Sequence, residues 1–169
     1  MPDGADQRLL GLYLNDQLAL GFVWREVARR SRKSNQGSEL GAAVGRVADA
    51  IAEDVAMFEQ IMERLGIPRS PLKPRLAVVA ERLGRLELNG RLFEYSPLSR
   101  FEELDFLRMG IDGKIVLWAN LRDLAELRSR LPDIDLDHLI ERAERQRAEL
   151  EPFRLEAGRA ALLTPAPPG

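Results

Sequence analysis

The sequence predicts an all-α fold: a four-helix bundle with a long crossover, carrying a short helix, between long helices two and three. Three observations predict it. Apolar residues recur at steps of three and four along four long segments. Capping and breaking residues punctuate the ends of those segments. Short turns separate the members of each pair, whereas 67–97 separates one pair from the other. The 169 residues read as one domain, 1–169, long enough to bury a sizeable core, with 1–5 and 164–169 expected to be disordered.

The first helix runs from about Asp6 to Arg32, with Asp6 or Asp3 as cap, and Ser34-Asn35-Gln36-Gly37 stops it. The second starts at Ser38 and ends at Leu65-Gly66, with Pro68 beyond. Its stripe, Leu40, Val44, Val47, Ile51, Asp54, Phe58, Ile61 and Leu65, keeps helical spacing throughout. Within the crossover, Leu72, Leu76, Val79, Leu83 and Leu86 form one face of a short amphipathic helix. Ser96-Pro97 opens the third long helix, read to about Leu131 with a stripe of Leu104, Leu107, Ile111, Ile115 and Trp118. The fourth starts near Asp133 or Asp135 and reaches about Leu163, its stripe being Leu136, Leu139, Ala143, Leu150, Ala157 and Ala161. Gly110-Ile-Asp-Gly-Lys114 carries Asp-Gly, a hairpin signal. No alternating strand precedes it, so the passage reads as continuous helix and a turn is the alternative.

Composition excludes several function classes. The chain is 45% apolar and 31% charged, with 25 basic and 27 acidic residues, which argues against a general nucleic-acid binder. No run is apolar enough for a membrane span, MPDGADQ lacks the features of a secretory signal, and a cytoplasmic location is the expectation. The absence of cysteine removes disulfides and thiol chemistry. With His138 as the one histidine, no site needing two imidazoles can form, and no Gly-x-Ser-x-Gly elbow accompanies it. Gly37, Gly41 and Gly45 lack the lysine and the strand of a phosphate loop. The basic residues of the crossover are interspersed with Glu81, Glu87 and Glu94 and read as a solvated face.

Helices one and two would be antiparallel, three and four antiparallel, and two and three parallel, a connectivity that resembles ferritin-like bundles. The segments Leu12-Tyr-Leu-Asn-Asp-Gln-Leu18, Asn89-Gly-Arg-Leu92, Ser96-Pro-Leu-Ser-Arg100 and Gly113-Lys-Ile-Val-Leu-Trp118 are similar to a group of uncharacterised bacterial ferritin-like proteins. That resemblance implies the fold and no activity. Di-iron members of the fold carry Glu-x-x-His motifs. This chain has none: Met57 stands three after Asp54, and Asp135 stands three before His138, which reads as an N-terminal-turn histidine.

Asp16 and Asp54 are the residues that invite a functional reading. They are equidistant from Asn35 and each interrupts an apolar face, which places two carboxylates at one level of a helix pair. Buried carboxylates need a cation. Level matching brings Lys114 and Arg154 opposite, about 60° and about 40° from the centres of their stripes at 100° per residue. The expectation is a buried network of Asp16, Asp54, Lys114 and Arg154 in a non-catalytic structural or binding protein with no cofactor, or a polar ligand site built from the same four residues. The alternative is an iron or manganese site, or an oxidoreductase-type protein, using Asp16, Asp54 and Glu103. Helix one is apolar nearly all round, so Leu14, Leu18, Phe22 and Trp24 either meet the crossover helix or form a homodimer interface.

Overall fold

A computed structural model describes residues 6–71 and 96–163. The crossover helix and both tails lie outside the described residues. Every regular element described is helical: α1 (Gln7–Ser34), α2 (Glu39–Arg64), α3 (Pro97–Asp123), the single turn α4 (Ala125–Arg128) and α5 (Leu136–Leu162). No described helix is long and apolar enough to cross a membrane.

Each long helix starts where a short polar side chain takes over orphan amides. Asp6 accepts from the Arg8 and Leu9 amides, Ser38 from Gly41, Ser96 from Ser99 and Asp135 from His138. At the end of α2, Gly66 adopts φ +67°. Its amide donates to Glu63 and that of Ile67 to Met62, the paired bonds by which a left-handed residue closes a helix.

Helix α1 packs along α2 and α3 along α5, while α1 also meets α3 and α2 meets α5. Neighbours are antiparallel. Arg32 at the end of α1 pairs with Asp49 in α2, and Arg64 at the end of α2 pairs with Asp133 just before α5. Arg122 at the end of α3 pairs with Asp137 at the start of α5, and Asn120 donates to Tyr13 near the start of α1. The diagonal helices α2 and α3 therefore run parallel. The core lies along their common axis, where Leu14, Leu18, Val44, Val47, Phe58, Ile61, Leu104, Leu107, Trp118 and Leu150 are all buried.

The structure corrects two expectations here. The third long helix does not continue to Leu131: Leu124 adopts an extended conformation, and α4 then turns Leu127 and Leu131 back into the core. Leu14 and Leu18 do not form an outer face either. They are 0% and 1% exposed inside the chain's own core, and Phe22 and Trp24 pack against it from the edge. A helix apolar on all sides gives periodicity no means of choosing its inward face.

The passage 110–114 is continuous α-helix. Gly110 is there for contact: a Cβ on it would stand 2.7–2.9 Å from three atoms of the Trp24 indole. That ring in turn meets Phe106 edge-on at 4.1 Å between centroids.

Candidate functional site

Asp54 sits on the buried stripe of α2 and is 3% exposed. The cost of desolvating a carboxylate there demands cations, and two neighbours supply them. Lys114 reaches from α3 to Asp54 Oδ2 at 2.5 Å, and Arg142 reaches from α5 to Asp54 Oδ1. The second amino group of Arg142 extends outward to Glu53, an exposed carboxylate, at 3.1 Å. Lys114 Nζ also donates to the Oε1 of buried Gln146 at 2.5 Å. Burial pushes the Lys114 ammonium below the usual lysine value; the Asp54 carboxylate opposes that shift, and Arg142 adds to it.

The network holds more donors than acceptors. Trp118 Nε1, Arg142 Nε and Gln146 Nε2 are buried nitrogens without a hydrogen-bond partner. All three carry N–H groups, and each such group left unmet is costly.

Asp54, Lys114 and Trp118 also line a cavity of about 400 Å³ between α1, α2 and α3. Its walls are mainly apolar, with Leu18, Trp24, Ile51, Phe58 and Leu117 among them, and Tyr13 and Gln17 also contribute. An apolar chamber of this size with a few convergent polar groups is the usual form of a small-molecule site.

Of the four residues expected together, the structure unites Asp54 and Lys114 alone. Asp16 is exposed on α1. Val55 rests against Gly21, so the level of Asp54 lies roughly one and a half turns beyond Asp16 along α1. Arg154 belongs to an outer ladder between α3 and α5, where it pairs with Glu151 and Asp105 at 2.8 Å each. In the same ladder, Arg108 meets Glu151 and Asp112, and Arg147 meets Asp112. Glu103 is half-buried, about three turns before Lys114 along α3. Among the described residues no three Asp, Glu or His side chains come together as a metal-binding group. Asp54 has a cation on each oxygen, so iron or manganese there would have to displace both.

Sequence reasoning missed Arg142 and Gln146. A signal for Gln146 existed: the α5 stripe skips from Ala143 to Leu150, and residue 146 occupies the vacant step. Arg142 was lost to the level count, which ran α3 straight to Leu131, whereas the break at Leu124 brings Lys114 opposite 142–146. Asn15, the immediate neighbour of Asp16, is a buried polar residue of α1. Its amide group donates to Gly11 O and Pro68 O and accepts from the Ser70 amide. Comparison with family models, curated proteins and solved structures finds no match to this chain.

Proposed function

We propose that this chain is a ferritin-like four-helix bundle acting as a non-catalytic binding protein. In this reading a protein-only charge network occupies the interior level where di-iron relatives of the fold carry their ligands. The observation that carries it is Lys114 Nζ, held at 2.5 Å from both Asp54 Oδ2 and Gln146 Oε1. An ammonium in the middle of the helices, together with the Arg142 guanidinium, occupies the carboxylate that a metal centre would need. The antiparallel neighbours and the parallel α2–α3 diagonal agree with ferritin-like connectivity, and the adjoining cavity supports binding as the role.

The test is elemental analysis of untagged protein, with thermal melts in the presence and absence of iron and manganese. The expected result is no stoichiometric metal and an unchanged melting temperature. One metal per chain, or a concentration-dependent rise in melting temperature, would overturn the reading, since a ligand binding only the native state must stabilise it.

A further inference from the structure

Three glycines line the cavity between α1, α2 and α3: Gly21, Gly110 and Gly113. Packing accounts for two of them. A Cβ on Gly21 would stand 3.2 Å from Val55 Cγ2, and one on Gly110 would enter the Trp24 ring. Gly113 has no such reason, since nothing lies within 4 Å of a Cβ built there. It is exposed and shares a helix face with Met109 and Val116, two large apolar side chains that are 54% and 57% exposed and also line the cavity. Tyr13 and Gln17 border the same space from α1. A helix-weakening residue in mid-helix, flanked by apolar side chains left in water, marks the mouth of the chamber.

The walls select what can enter. Asp54 and Lys114 both line the cavity and neutralise one another, whereas Arg142 is not on its wall. The Trp118 indole N–H is enclosed within the protein, and the Tyr13 hydroxyl accepts from Asn120. Of the polar side chains on the wall, that leaves Gln17, half-buried and without a hydrogen-bond partner among the described residues. The chamber therefore offers no net charge and one amide, which can both donate and accept. We propose that the cavity binds an uncharged, largely apolar small molecule with a single hydroxyl or carbonyl group, which enters past Gly113 and bonds to the Gln17 amide. A charged head group would lose water there and find no free opposite charge. The inference rests on the reading of the chain as a binding protein and adds the ligand's class and its route of entry.

The experiment titrates the whole protein near pH 7 with octanol, octanoate and octylamine, which share a body and differ in head group, and with toluene, which has no polar group. Trp24 and Trp118, the two tryptophans, both line the cavity, so their fluorescence reports occupancy directly. Octanol should bind at least about tenfold more tightly than either charged relative. Gly113→Leu should weaken octanol at least about tenfold and Gly113→Ala by less. Both variants should melt no lower than the wild type, which separates a blocked mouth from a lost fold. Gln17→Leu should weaken octanol about fivefold, the worth of one neutral hydrogen bond, and leave toluene unchanged. Equal affinity for octanol and the charged probes would overturn the ligand class while leaving a binding cavity in place. Wild-type affinity for octanol in Gly113→Leu would overturn the route of entry, and in Gln17→Leu the role of the amide. No binding of any probe would overturn both the inference and the reading beneath it, and a dimer in sedimentation would then give the apolar mouth to a second copy of the chain.

Discussion

Lys114 Nζ lies 2.5 Å from Asp54 Oδ2 although α2 and α3 make no close backbone approach among the described residues. The ammonium spans the diagonal between them, while Arg142 holds the other carboxylate oxygen from the adjacent α5. This asymmetry makes the two partners unequal. Asp54→Ala strands a buried lysine and should cost about 3–5 kcal/mol in urea denaturation, the usual loss when one member of a buried pair is removed. Lys114→Met leaves Asp54 paired with Arg142 and orphans chiefly the Gln146 carbonyl, for a loss of roughly 1–3 kcal/mol. Equal losses would mean that Arg142 does not hold the carboxylate. The double variant Asp54→Leu/Lys114→Met should recover most of the loss, because an apolar pair avoids the desolvation both charges suffer.

Two glycines of α3 should respond in opposite directions. Nothing lies within 4 Å of a Cβ built on Gly113. Gly113→Ala should therefore raise stability by about 0.5–1 kcal/mol through helix propensity alone. At Gly110 the same methyl enters the Trp24 ring, which cannot retreat without losing its edge-on contact with Phe106. Gly110→Ala should cost about 1–3 kcal/mol from overpacking and alter the near-ultraviolet circular dichroism of the tryptophans. A stabilised Gly110→Ala protein would show that Trp24 is not seated where the structure places it.

Neighbouring positions on α1 provide a third contrast. Asn15 joins α1 to the chain beyond α2 through Pro68 O and the Ser70 amide. Asn15→Ala leaves those groups unpartnered and should cost about 1–3 kcal/mol, with faster hydrogen exchange at the Ser70 amide. Asp16 is exposed, and an exposed carboxylate contributes at most about 1 kcal/mol whatever it pairs with. If Asp16→Ala proved the more damaging of the two, the inward face of α1 would have to be redrawn.

That contrast also shows what a single sequence can reveal. The helix starts and the end of α2 were legible because capping is local chemistry: Ser38, Gly66, Ser96 and Asp135 act on amides or carbonyls a few residues away. The inward face of α2 was legible because its stripe contains one polar residue, Asp54, and a run of apolar ones. The inward face of α1 was not, since Leu, Phe, Val and Trp surround it and leave Asn15 and Asp16 equally eligible. Partners across the structure depend on register, and one extended residue, Leu124, shifts α5 relative to a straight-helix count. Lys114 survived that error because its side chain needs only to cross the diagonal. Arg154 did not, and its place at Asp54 belongs to Arg142.

Titration should separate the outer ladder from the buried network. Glu151 is held down to about 2, first by its hydrogen bonds from Arg154 and further by the charges of Arg154 and Arg108. Its folded value lies below the ordinary 4.5, so its contribution is fully present above that value and disappears as pH falls toward about 2. Glu151→Gln should flatten the acid limb of a stability–pH curve in that window. The carboxylate is about a third exposed (32%), so the limb of the wild-type protein should also flatten at roughly 1 M ionic strength, where the screening length falls to about 3 Å. Lys114 behaves differently at the alkaline end. Its folded value is depressed, chiefly by burial, so the unfolded chain binds more protons between that value and the ordinary 10.5. Stability should rise with pH across that interval, weakly dependent on salt because the group is enclosed, and Lys114→Met should abolish the rise. Denaturant midpoints measured at low and high salt across both windows test the pair of effects. An alkaline rise that persists in Lys114→Met would assign it to another group and remove the argument that burial governs this ammonium.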